Sequence, residues 1–368
     1  MRRLTAALAV LSLGGCVTPS RDGPPPIEPP QAVTPQRPPI SAPSKPVPLA
    51  VLPGWAQEDH DAAFAAFRRT CPVTKDAAIA AVCAQARLVR EVGPGEARRF
   101  LEQAFEARLL PGEGVLTAYF APVYPARSQP DAEFSAPVRP RPTDLKPGDG
   151  GAVFRILGDG STEPYPDRAS IEVAPVIQPL AWMRPEELFF LQVQGSGVLI
   201  FEGGRRQKAL FSAHNGRPFV GIANPMRDLG LLARDNTSGD AIRMWLAAHR
   251  GPEADDIMRL NPRYAFFSLA PDDGKPVFGA AGVPLPTGRA VAVDPAFHAM
   301  GELLWLDAQA PLLAGAFPVY QRMVTALDTG GAIKGAVRAD LFLGQGEAAG
   351  AEAGRVRHTL RLYQLVPK

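Results

Sequence analysis

The sequence predicts a mainly β protein whose folded part begins with helices. Three observations carry that prediction. Segments between residues 59 and 110 repeat apolar residues at helical spacing. After Gly112 the chain breaks into short runs rich in Val, Leu, Phe and Tyr, with turn residues between them. Hydrophobic residues make up 46% of the 368, enough for a packed core. Helices first and strands afterwards mean an α+β or β-barrel architecture rather than alternating βαβ units.

The N-terminus, MRRLTAALAVLSLGGC, has two arginines, an apolar run from Leu4 to Leu13 too short to span a bilayer, and small residues before Cys16. Residues 1–16 thus resemble a bacterial lipoprotein signal, with Cys16 as the lipidated first residue of the mature chain. Val17 and Thr18 follow, not an Asp at the second position. The expected location is therefore the periplasmic face of the outer membrane, anchored in its inner leaflet. Residues 17–53 hold 13 of the 40 prolines and few large apolar groups. That composition predicts an extended tether reaching on the order of 90 Å. Cys71 and Cys83 remain as a pair in an oxidising compartment, and a disulfide between them would stabilise by about 3 kcal/mol.

Order is expected from Trp55. DHDAAFAAFRRT, KDAAIAAVCAQARLVREV and GEARRFLEQAFEARLL read as three helices, with Phe64, Phe67, Ile79, Leu101 and Phe105 facing inward. GVLTAYFAPVYPA, GAVFRIL, LFFLQVQGSGVLIFEGG, QKALFSAHNG, RPFVGIA and RYAFFSLA read as strands. Gly203–Gly204 and Asn215–Gly216 read as hairpin turns, and a helix starts near Ser238. RAVAVD, ELLWLD, GAFPVYQRMVTALD and HTLRLYQLV complete the strand set.

Several chemistries are not expected. A net charge of +2 argues against an electrostatic nucleic-acid binder. The five histidines include no H-E-x-x-H pair, and no Cys or His spacing suits zinc. Ser196, in Gln194-Gly195-Ser196-Gly197, is not in a nucleophile elbow. There is no phosphate loop, so no cofactor is expected. Carboxylate chemistry is left.

The stretch DTGGAIKGAVRADLF carries it. VTALD delivers Asp328 at a strand end, Gly330 and Gly331 free the backbone to turn or admit a ligand, and VRADLF puts Arg338, Asp340 and Phe342 on one face. AVAVD delivers Asp294 in the same end-of-strand manner. Asp294 and Asp328 also suit turn-forming roles, but Asp340 interrupts an apolar run, where Asp is disfavoured. Burial and like charge both raise a carboxyl pKa, so clustered acids can keep one proton near neutral pH and donate it to a glycosidic oxygen. Arg338 would oppose that and Phe342 support it.

Asp328-Thr329-Gly330-Gly331-Ala332-Ile333-Lys334-Gly335, followed by Arg338-Ala339-Asp340-Leu341-Phe342, is similar to the C-terminal signature of the membrane-bound lytic murein transglycosylase A family and the wider three-aspartate group. GRAVAVDPAFHAMGELLW, NPRYAFF, FLQVQGSG, YPDR with IE at 171–172, and LTAYFAP resemble further family blocks, so the resemblance covers about 111–368. Ala118 and Ala121 depart from it, as does His298-Ala299-Met300 in the turn after Asp294.

The resemblance implies a double-psi β-barrel, residues 54–121 plus 270–368, interrupted by an inserted β-domain, 122–269, with a glycan groove between. It implies cleavage of the β-1,4 bond between N-acetylmuramic acid and N-acetylglucosamine in peptidoglycan, leaving a 1,6-anhydro end. Asp340 matches the catalytic acid and Asp328 and Asp294 the other two aspartates. Thr117, Tyr119, Gln194, Gly195, Ser196, Gly330, Gly331 and Lys334 are the expected substrate-binding positions. The expected partners are peptidoglycan glycan strands and the lipid leaflet. Two alternatives stay open: a hydrolase on the same barrel, and a peptidoglycan-binding lipoprotein without catalysis.

Overall fold

Asp59 accepts a hydrogen bond from the Ala62 amide and opens helix α1, His60–Thr70. Asp76 caps α2, Ala77–Leu88, in the same way, and Gly95 precedes α3, Glu96–Ala104. These helices belong to a computed structural model that describes residues 44–89, 92–310 and 317–368. Cys16, the signal-like segment and residues 17–43 lie outside the described residues. No helix among the described residues is long and apolar enough to cross a membrane.

Six strands close into a barrel: β1 (Gly114–Ala121), β2 (Ala290–Val293), β3 (Leu303–Gln309), β4 (Val319–Thr329), β5 (Arg338–Gln345) and β6 (Arg357–Pro367). The ring runs β1-β6-β3-β4-β2-β5 and back to β1. β4 pairs parallel to β2, and β5 parallel to β1; the other four pairings are antiparallel. Closure leaves these strands no edge. Val291, Val293, Leu304, Leu306, Ala339, Leu341, Leu360 and Leu362 fill one buried cluster, each Val or Leu among them contributing about 1.5–3 kcal/mol of burial. A second cluster joins Trp55, Phe64, Phe67 and Phe105 to Trp305 of β3 and Met323 of β4. A disulfide links Cys71 and Cys83 beneath these helices, with Cα atoms 5.6 Å apart. Glu58 ties this layer down by two bonds to Arg289, 2.8 and 2.9 Å, and one from the Met323 amide, 2.6 Å.

Between β1 and β2 the chain builds a second body around a four-stranded sheet, in the order Ala265–Pro271, Arg206–His214, Gly197–Ile200, Val123–Pro125. Its core holds Leu188, Leu191, Leu199, Phe201, Ala265 and Phe267.

Several sequence expectations are corrected here. The extended tether was expected to reach residue 53. Instead Val47–Pro48 pairs with Glu106 and Ala107, and Leu49 and Leu52 are buried in the helical cluster. The third helix stops at Ala104. Phe105–Leu109 is a strand on β6, because Phe105 and Ala107 alternate into the core with period two. FLQVQ is helical, not extended: helix Pro185–Gln194 has Pro in its first turn, Glu186 and Glu187 beside it, and Gly195 at φ 85° ending it. RPFVGIA forms no strand; Ala223–Asp228 is a helix. Gly203–Gly204 does turn a hairpin, but Asn215 does not. Its buried amide instead bonds the carbonyls of Pro166 and Pro262 and accepts from the Tyr264 amide.

Candidate active site in the cleft between barrel and insert

A cleft of about 950 Å³ opens between the barrel strands and the inserted body. The barrel wall is set by register. Ala292 of β2 pairs with Asp328 of β4 on one side and with Asp340 of β5 on the other. The two acids therefore stand two strand spacings apart, about 10 Å between Cα atoms, with a side chain of one carbon between them. A bulge helps. Val291 faces Ala326 and Ala292 faces Asp328, so Leu327 is the extra residue that re-aims Asp328.

Among the described residues Asp340 has one hydrogen-bond donor, the Thr117 hydroxyl, which reaches Oδ1 from the paired position on β1. Arg338 Nη2 lies 2.8 Å from the same Thr117 Oγ1. A guanidinium only donates, so Thr117 must accept from Arg338 and spend its own proton on Asp340. Arg338 also bonds the carbonyls of Val115 (3.3 Å) and Ala339 (2.6 Å). Burial pushes the Asp340 carboxyl up, and the nearby Asp328 charge adds to this, against the Thr117 bond and the Arg338 charge.

Asp328 is held differently. It accepts from the Tyr119 hydroxyl at 2.7 Å and from the amides of Ala280 and Thr329, both 2.9 Å. Burial pushes it up as well, and those three donors oppose it. Among the described residues Asp328 thus has three donors and Asp340 one, with the Arg338 guanidinium also near Asp340. Tyr119 is therefore not a free stacking platform. Its hydroxyl is committed, and its ring packs on Phe342 at 5.3 Å.

Asp294 is not among the residues lining this cleft. β2 ends at Val293, and Asp294 turns away to accept from the amides of Ala296 (3.2 Å) and Gly335 (2.9 Å). The turn after it forms despite its unusual residues, because His298 bonds Glu302 and the Ala336 carbonyl. Asp294 thus clamps the β4–β5 connection from behind. Lys334 also lies outside the cleft, 3.8 Å from Asp294, and lines an adjoining depression that shares Thr117 and Arg338 with the cleft and adds Arg357.

The opposite wall belongs to the insert. Gln194 Oε1 accepts from the Phe120 amide of β1 at 3.2 Å, tying the two bodies together. Ser196 Oγ accepts from the Phe211 amide at 3.1 Å, and Gly195, Gly330 and Gly331 line the cleft. Among the lining residues that the sequence did not single out are His214 and Arg263. His214 Nδ1 accepts from the Gly216 amide, and burial with the Arg263 charge pulls it down to about 4, so the ring is neutral. Arg263 stands inside the NPRYAFF block, which is the one signal that pointed near it. Among the described residues no His, Cys, Asp and Glu cluster suits a metal ion.

The model of the MltA specific insert domain matches residues 115–268, and that of the 3D domain matches 289–366. The crystal structure of a membrane-bound lytic murein transglycosylase from Agrobacterium tumefaciens is 30% identical, with a TM-score of 0.77, over 88% of this chain and 97% of that one. This chain belongs to the membrane-bound lytic murein transglycosylase A family. The family's Vibrio cholerae and Escherichia coli members are 31% and 32% identical over 69% of this chain. The matched part spans 66% of the length of each of these relatives. An E. coli MltA structure with bound chitohexaose has a TM-score of 0.64 at 25% identity, covering 89% of this chain and 93% of that one. In this family member the insert lies across the cleft from the acids Asp328 and Asp340.

Proposed function

We propose that this chain is a peptidoglycan lytic transglycosylase that cleaves the β-1,4 bond between N-acetylmuramic acid and N-acetylglucosamine. The observation that carries the reading is the unequal pair in the cleft: Asp340, buried with one donor, beside Asp328, which has three. The barrel, residues 54–121 plus 270–368, is taken as double-psi, and 122–269 as the insert forming the other wall of a glycan groove. Cys16 is taken as the lipid attachment point at the periplasmic face of the outer membrane.

Thr117 occupies Oδ1 of Asp340, so the reactive proton sits on Oδ2. It passes to the glycosidic oxygen as the C1–O bond breaks and charge develops on the muramic ring. The Asp340 carboxylate then takes the proton of the C6 hydroxyl as that oxygen bonds to C1. Asp340 ends protonated, and no water is consumed. The nucleophile is already part of the reacting sugar, so little entropy is lost in bringing it to C1. The Asp328 charge, held by Tyr119 and two amides, favours the oxocarbenium-like state and keeps the proton on Asp340. Asp294 acts at a distance, through the loop it clamps. Gln194, Ser196 and the glycines bring polar backbone to sugar hydroxyls and N-acetyl groups.

Digestion of purified sacculi tests this. Products one water lighter than hydrolysis would give are expected by mass, and Asp340→Asn should lower their release by about a thousandfold. Products with ordinary reducing ends, or undiminished release by the variant, would overturn the reading.

A further inference from the structure

The insert wall carries a cation with no counter-charge. Arg263 is half-buried on the lining of the cleft, and among the described residues its side chain makes a single hydrogen bond, from Nη1 to the Arg217 carbonyl at 3.1 Å. Among the described residues no carboxylate lies within ion-pair distance of it. Nearby arginines are treated otherwise: Arg168 and Arg259 share Glu172, at 3.2 and 3.0 Å. A partly desolvated guanidinium left without an anion is costly, and an arriving carboxylate offsets that cost.

The position suits a ligand. A Cβ at residue 331 would stand 3.3 Å from Arg263 Cζ and 3.4 Å from Nε, so Gly331 leaves the guanidinium uncovered where it meets the turn after Asp328. The neutral His214 beside it adds a donor but no charge. The adjoining basic depression is a weaker candidate, because Arg338 is spent on Thr117 and two carbonyls and Lys334 already faces Asp294.

We propose that Arg263 anchors a carboxylate carried by the glycan strand, either on the lactyl ether of a muramic residue or on the peptide attached to it. This rests on the glycan-cleaving reading above and adds to it a preference for murein over neutral glycans. A planar fork of donors fits a carboxylate with two parallel bonds.

The test is calorimetric, with full-length Asp340→Asn protein so that nothing is cleaved. Three probes are used: neutral chitohexaose, murein glycan oligomers stripped of peptide, and the same oligomers with peptide stems. Adding Arg263→Gln should weaken at least one charged probe roughly 10- to 100-fold while chitohexaose binding stays unchanged. Loss on the stripped oligomers assigns the lactyl carboxylate, and loss confined to the stem-bearing ones assigns the peptide. Equal loss on all three probes, or none on any, overturns the anchor. Failure of the Asp340→Asn protein to bind any probe overturns the glycan reading and the anchor together. If Arg263→Gln unfolds, Arg263→Lys keeps the charge and removes the fork, and a selective loss on charged probes is still required.

Discussion

The two walls of the cleft are built on different terms. On the barrel wall every polar group is fixed by strand register: Thr117, Ala292, Asp328 and Asp340 sit at paired positions on β1, β2, β4 and β5. On the insert wall the groups come from a helix end, a strand end and a loop, at Gln194, His214 and Arg263. The barrel wall carries both acids with Arg338 beside them, and the insert wall a neutral imidazole and a cation that no described carboxylate pairs. Groups that move protons need sub-ångström placement, which hydrogen-bonded strands provide. Groups that grip a ligand tolerate the looser placement of loops.

Thr117→Val attacks the barrel wall most directly. It removes the hydroxyl shared by Arg338 and Asp340, and should lower kcat by roughly 10- to 100-fold with KM little changed. The pH profile sharpens the point. Asp340 must be protonated to act, and burial raises its pKa, so activity is lost as pH climbs through that raised value. The Thr117 bond favours the charged form, so losing it should move the alkaline limb to higher pH, with Thr117→Ser restoring it. An unshifted limb would mean Thr117 does not act through Asp340.

Gln194→Ala cuts the tie between the walls at the Phe120 amide. Here KM should rise about fivefold, the worth of one net hydrogen bond, with kcat retained. If kcat fell instead, the insert would be shaping the acids, and the division between the walls would fail.

The smallest effect is expected behind the barrel wall. Burial lowers the pKa of His298, but Glu302, the Ala336 carbonyl and Asp294 together carry it above its ordinary 6.5. A raised folded value stabilises fully below the unfolded pKa and is lost as pH rises through the folded one. His298→Gln should therefore lower Tm relative to wild type at pH 5, by a few degrees at most, about what one lost net hydrogen bond costs, with the gap narrowing at pH 9. Activity on sacculi, corrected for folded protein, should change little, since His298 lies outside the cleft and Asp294 keeps its own bonds to the Ala296 and Gly335 amides.

Much of the barrel was legible because its strands alternate or run apolar between turn residues. Asp340 stood out because it interrupts an apolar run, whereas Asp328, at a strand end before glycines, suited a turn-forming role as well. FLQVQ misled, since its Phe, Leu and Val suit a strand equally well, and the helix was signalled only by Pro185 and the two glutamates before it. Asp294 looked equivalent to Asp328 on the page. The difference is one bulge at Leu327 that keeps Asp328 in the cleft, while β2 stops at Val293 and releases Asp294. Arg263 stood in a recognisable block, NPRYAFF, but its lack of a counter-charge among the described residues could not be read there, because that depends on what the fold brings near it.

By itself, the sequence determined which reactive groups exist, the apolar periods that make strands of their surroundings, and the glycines that let a turn follow Asp328. Only the tertiary structure decided how deeply each carboxyl is buried and which donors it meets. A pKa depends on water and on donors, and the one donor to Asp340 among the described residues comes from Thr117, 223 residues away in the chain.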